Sequence, residues 1–207
     1  MADRFEYLSL TLERGRLPHR ALAEALAKAA PALADANAVL LGQFSPQLGW
    51  AANEAAVLLG ETSGAMFAPD AHAVVLKATG VASGAGQSLT LAARPGSVDR
   101  PTPGGVHVHR WFTVAAADRD EFVQLSAQAW PAFEAQFDAR IFGLFDAQQS
   151  AADKAADEVR LLLVTRYGDH GVWEQSRDPT SEAMQIFARR QALTRYTRAA
   201  SSLLIAA

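Results

Sequence analysis

Residues 38–45 read AVLLGQFS and residues 139–146 read ARIFGLFD, so Gly42 falls over Gly143 and Phe44 over Phe145 at one displacement of 101 positions. At that displacement FEYLSLTL (5–12) lies over VHVHRWFT (106–113), and Ala30-Pro31-Ala32-Leu33 lies over Trp130-Pro131-Ala132-Phe133 one residue out. A second apolar run follows in each half, AAVLLG (55–60) and VRLLLV (159–164), and each half closes on a similar segment, SLTLAA (88–93) and SLLIAA (202–207). A repeat this long is a small domain; solenoid units have periods of roughly 20–50 residues. The chain is expected to fold as two related units, residues 1–95 and 106–207, joined by the Pro/Gly-rich segment 96–105.

The pattern inside each half is strand, helix, strand, strand, helix, strand. Phe5–Leu12 and Val106–Val114 alternate as strands do, and His19–Ala34 and Asp118–Phe137 carry apolar residues at helical spacing. Asp118 and Glu121 have capping-box spacing, and Pro131 is expected to kink its helix or end it near Trp130. Residues 70–79 suit either a strand, through Ala73-Val74-Val75-Leu76, or a short helix capped near Asp70; the helix is expected because the second half has one there. GVASGAG (80–86) reads as flexible, Gln148–Asp157 as a loop, Pro179–Ala200 as the longest helix and Ser202–Ile205 as the last strand. The order is that of the split βαβ unit, an antiparallel four-stranded sheet with both helices on one face. The predicted class is α+β: a tandem of ferredoxin-like units whose open sheet faces pack together as in a dimeric α+β barrel.

Bulk properties narrow the function by exclusion. Net charge is −3, so no basic surface points to nucleic acid. Cysteine is absent, which removes disulfides, thiolate ligands and a cysteine nucleophile. No apolar run nears the ~20 residues of a membrane span, and MADRFEYLSLTLERG is unlike a signal peptide. A cytoplasmic protein is expected. No nucleophile elbow surrounds Ser83, Ser88 or Ser97, and Tyr167-Gly168-Asp169-His170-Gly171 lacks the Gly-Lys-Ser/Thr of a P-loop.

The second half resembles a NIPSNAP-type domain of the dimeric α+β barrel superfamily. The likeness rests on HVHRWFTV (107–114), on the helix carrying Glu121-Phe122 and Trp130, on Ile141-Phe142-Gly143-Leu144-Phe145, and on Val159–Tyr167 followed by a helix with Arg189-Arg190. The first half is a more diverged copy. The resemblance implies a fold and a tendency to form homo-oligomers; it implies no one reaction, since relatives include cofactor-free monooxygenases, haem enzymes and proteins without established activity.

His109 and Trp111 share one face of their strand, and at a displacement of 101 they replace Leu8 and Leu10. One reading is a pocket between sheet and helices, binding a small apolar or aromatic molecule. His109 would be its proton carrier, with His107, Trp111, Trp130, Tyr167 and Arg190 lining the ligand and no cofactor needed. The other reading is packing, because aromatics usually fill cores. His107 and His109 would need a third metal ligand, from His170, Asp169 or Glu174, and no ligand spacing supports one, so no metal is expected. Arg189, Arg190, Arg195 and Arg198 form either an anion site or a solvated helix face. A non-enzymatic assembly module and a haem protein are the competing functions.

Overall fold

The computed structural model describes residues 4–15, 17–61, 71–79, 81, 83–94 and 99–206. The cap expected near Asp70, Ser97 in the linker, and Gly80 and Ala82 of GVASGAG lie outside these. The chain divides into two compact units. The first takes residues up to Thr90, a short stretch ending at Pro101, and Ser201 onward; the second takes Leu91 onward and Thr102–Ala200.

In the first unit, β1 (Arg4–Thr11), β2 (Ala38–Leu48), β3 (Glu54–Glu61) and β4 (Ser83–Ala93) form an antiparallel sheet in the order β4-β1-β3-β2. Residues 201–206, the end of β8 (Thr194–Ala206), add a further strand against β2. Helices α1 (Pro18–Asp35) and α2 (Ala71–Thr79) pack on each other. Leu8, Leu10 and Leu12 meet Leu22, Leu26 and Leu33 of α1 in one buried cluster with Val57, Leu59 and Val75. The helix expected at 70–79 is present. The stretch read as flexible instead starts β4, because glycine lets helix and strand come close: a Cβ on Gly84 would stand 2.6 Å from Leu76 Cδ2.

The second unit holds β5 (Val106–Ala115), a 3₁₀ turn at Ala116–Asp118, α3 (Arg119–Gln136), β6 (Ala139–Ala147), α4 (Ala151–Ala155), β7 (Glu158–Tyr167), α5 (His170–Gln175) and α6 (Glu182–Ala192). Its strand order, β8-β5-β7-β6, matches the first unit's, and α3 packs on α6. The α+β class and ferredoxin-like order are as expected. Both β2 and β6 carry a register shift at the same place, between Leu40 and Gly42 and between Ile141 and Gly143.

Several expectations need correction. Asp118 precedes α3 without a side-chain cap; the capping box belongs to Ser150 and Asp153, which start the short α4 inside the predicted loop. Pro131 does not end α3, nor Pro31 α1. Each proline sits on the exposed face, so the carbonyl four residues earlier, on Ala27 or Ala127, opens toward water. Helix α6 stops at Ala192, and Arg195, Tyr196 and Arg198 belong to β8. Thr194, Tyr196 and Thr197 favour a pleated strand, and no glycine or proline marks the boundary.

The largest correction concerns register. The buried residues of α1 (Leu22, Leu26, Ala29, Leu33) recur in α3 as Phe122, Ser126, Ala129 and Phe133, at a displacement of 100. The displacement of 101 holds for β2 and β6, but Val57 and Leu163 take matching places in β3 and β7 and pair with Leu8 and Arg110, which displaces β5 from β1 by 110 − 8 = 102. Leu8, Leu10 and Leu12 therefore correspond to Arg110, Phe112 and Val114, and a one-residue shift moves every side chain to the other face.

At Gly105, φ is +65° and a Cβ would run into the Tyr167 carbonyl oxygen. Gly105→Ala combines left-handed backbone strain with a clash against rigid backbone, so a loss of about 2–4 kcal/mol is expected. Urea unfolding of the variant checks this; a change under about 0.5 kcal/mol would refute it.

Candidate functional site

In the second unit a cavity of about 570 Å³ opens between the sheet and the helices. Strand alternation decides what reaches it. Val108 and Arg110 of β5 pair across to Thr165 and Leu163 of β7; Tyr167 and Ile141 share that face, and all six line the cavity. Helix α6 is capped by Ser181, whose Oγ accepts from the Met184 N–H at 3.2 Å. It contributes Met184, Phe187, Ala188, Arg190 and Gln191. The Asp169 carboxylate caps α5 by accepting from the Val172 N–H at 2.8 Å, and α5 brings in Trp173.

The walls are aromatic. Phe133 stands edge-on to Phe187 (5.4 Å, 70°) and to Tyr167 (6.1 Å, 89°), and Tyr167 is tilted against Trp173 (6.3 Å, 36°). Within them sit cations. The Arg190 guanidinium is buried 4.4 Å from the Phe187 ring centroid, 4.9 Å from Phe112 and 5.3 Å from Phe122. It donates from Nη1 to Ser126 Oγ at 3.3 Å, while its buried Nε–H has no acceptor. Ser126 occupies the position of Leu26 in the other copy, and Arg110 that of Leu8. Two leucines that fill the first unit's core are polar here.

The electrostatics follow from burial. Desolvation, with Arg110 adding repulsion, lowers the Arg190 pKa to about 9, and Tyr167 opposes this. Desolvation also lowers Arg110, which Tyr167 counters and Arg177 reinforces. Burial raises Tyr167 against the pull of Arg110, Arg190 and Arg177, so at neutral pH its hydroxyl is a hydrogen-bond donor and not a base. Among the described residues no carboxylate lines the cavity and none of the three arginines makes an ion pair.

Of the residues singled out in the sequence, the structure brings Tyr167 and Arg190 to this cavity. His107, His109 and Trp111 have the opposite strand parity and do not line it. His107 is buried with Nε2 3.0 Å from the Thr102 carbonyl, and desolvation holds its pKa down to about 4. His109 is also buried, and desolvation with repulsion from His107 takes it down to about 3. Trp130 is core, with the Arg94 guanidinium 5.3 Å over its ring and Arg94 paired to Glu134 at 2.8 Å. Arg110, Trp173, Arg177 and Phe187 were missed. For Arg110 the signal was present, a charge on the otherwise apolar strand face of Val106, Val108, Phe112 and Val114. Among the described residues, no cluster of three metal-ligating side chains exists.

Solved structures with this architecture cover nearly the whole chain. A monooxygenase candidate from Lactobacillus acidophilus matches with a TM-score of 0.62 at 10% identity, over 99% of this chain and 94% of its own. An anthrone oxidase-like protein matches at 0.59 and 12%, over 100% and 92%. A haem-binding protein from Thermus thermophilus matches at 0.53 and 9%, over 100% and 92%. The fold is that of the ferredoxin-like, dimeric α+β barrel proteins. No protein-family model and no curated protein sequence matches the chain. Identities this low speak to fold alone. Among the described residues, no helix is long and apolar enough to cross a membrane.

Proposed function

We propose that the second unit is a small-molecule binding unit, taking an aromatic ligand of one or two rings between its sheet and its helices, in a NIPSNAP-like protein. The observation that carries this reading is the cavity itself: about 570 Å³, walled by Phe133, Tyr167, Trp173 and Phe187. Small-molecule sites are typically concave, largely apolar and furnished with a few convergent polar groups, within a range of roughly 300–1,000 Å³. The contrast between copies supports it, because the first unit closes the corresponding face with Leu8, Leu10 and Leu26.

Cofactor-free oxygenation or isomerisation of the ligand is the reaction class to which fold likeness points. The chain's own contribution would be aromatic stacking, positive charge and the Tyr167 hydroxyl, which can hydrogen-bond a carbonyl or oxyanion. His109 could carry a proton only for a ligand on the other face of the sheet. Haem does not fit this cavity: its lining holds no histidine, and the raised pKa of Tyr167 disfavours the phenolate that would ligate iron.

A panel of one- and two-ring aromatic compounds, followed by ligand-observed NMR with the full chain, should yield binders. Ala188 is exposed and lines the cavity edge, so Ala188→Trp adds bulk there without disturbing the core. It should weaken those binders at least tenfold at unchanged thermal stability. An absence of binders, or affinities indifferent to Ala188→Trp, would refute the assignment.

A further inference from the structure

Three arginines in a cavity without a carboxylate need an explanation that aromatic walls do not give. Buried arginine normally meets an acid, because an unpaired charge taken out of water is costly. Arg190 is buried among three rings, which satisfy the faces of its guanidinium but not its edge. Its only hydrogen bond in the described structure is a long one to Ser126, and Nε has no acceptor. Arg110 lies half-buried on the same cavity wall, and Tyr167 stands between the two electrostatically, offering a hydroxyl within reach of Ser176. Arg177 adds a third positive charge, 5.8 Å over the Trp173 ring.

The first unit shows that the fold does not require this arrangement. Leu8 and Leu26 stand there in place of Arg110 and Ser126, and the core is continuous. The polar set therefore answers to something other than folding. Guanidinium edges with free N–H donors match the planar fork of a carboxylate, which accepts two parallel hydrogen bonds from one arginine.

We infer that the cavity binds an aromatic carboxylate, its ring among Phe133, Trp173 and Phe187 and its carboxylate held by Arg110 and Arg190 with the Tyr167 hydroxyl as a further donor. This rests on the small-molecule reading above and names the chemical class of its ligand. The anion supplies the charge that the protein leaves out, and the low-dielectric walls strengthen each contact. Arg177, nearer solvent on α5's far side in sequence, adds attraction for the incoming anion.

The decisive comparison is 2-naphthoate against 2-naphthamide, two probes of near-identical shape differing by one charge, titrated calorimetrically into the full chain. The carboxylate should bind at least tenfold more tightly. Arg190→Gln should cut the carboxylate-to-amide affinity ratio to below about threefold, and Arg110→Gln, at a half-buried strand position, provides the same test should the first variant fold poorly. Equal affinities for the two probes in the wild-type chain would overturn the anion assignment while leaving the cavity as a neutral aromatic site. Binding of neither probe, with other aromatics still bound, would overturn it equally. Preference retained in both variants would show that the charge is sensed elsewhere and would refute the roles of Arg110 and Arg190.

Discussion

Between pH 6.5 and pH 4 this protein should lose roughly 6 kcal/mol of stability on account of two histidines. Folded, His107 and His109 are buried and neutral, with pKa values lowered by desolvation to about 4 and about 3. Unfolded, each titrates near the ordinary 6.5. Below that pH the unfolded chain takes up two protons that the folded chain refuses, so stability falls with a slope approaching 2.7 kcal/mol per pH unit and levels out only below the folded values. Above about pH 8 neither residue contributes an appreciable slope. A loss of this size approaches the whole stability of an ordinary domain, roughly 5–15 kcal/mol, so unfolding near pH 4 is expected. The check is urea unfolding at half-unit intervals of pH. His109→Gln should recover about 3 kcal/mol of the acid loss relative to its own stability at pH 8. Parallel pH profiles for variant and wild type would refute the account.

Replacing Arg190 by methionine should make the empty protein more stable, by about 1–3 kcal/mol at neutral pH. Arg190 remains charged there in both folded and unfolded states, because its folded pKa, about 9, is still above 7. The penalty for burying that charge is therefore fully present at pH 7 and eases only as pH rises through the folded value. Methionine keeps the contacts with Phe112, Phe122 and Phe187 and removes the orphaned N–H. A bound carboxylate should narrow or reverse that gap. At a hundred times the wild-type dissociation constant it adds about 2.7 kcal/mol to the wild-type chain but only about 1.4 kcal/mol to a variant that binds it tenfold more weakly. Thermal unfolding of both proteins with and without 2-naphthoate reads the change directly. Arg190→Met unfolding earlier than wild type in the absence of ligand would identify Arg190 as a strut of the core.

The fold was legible because the features that fix it are local and repeated. The Gly-x-Phe pairs around Gly42 and Gly143 mark the same irregularity in β2 and β6, and the stripes of α1 and α3 declare their buried faces. The site was legible only in part, for a reason of parity. Carrying the displacement of 101 back through the helices turned β5 over, so His109 and Trp111 were placed where Arg110 and Phe112 stand. Helical spacing tolerates an error of one residue better than a strand does, because a strand has only two faces. Tyr167 and Arg190, named without use of that alignment, line the cavity. A pocket between sheet and helices was expected in the second half, but with the wrong face of β5 lining it; Ser126 in place of Leu26 is a further trace of that space, and a lone serine in a helix carries no message until its neighbours are known.

Residues 201–206 join the first unit's sheet beside β2, although they are the last described residues of the chain. On the ribosome, the N-terminal ninety residues emerge well before that partner exists. The exposed margin of β2 must wait, unpaired, through the manufacture of more than a hundred further residues. Nascent chains of this protein should therefore be susceptible to sticking at that margin, and a trigger-factor-like holdase would find its client there.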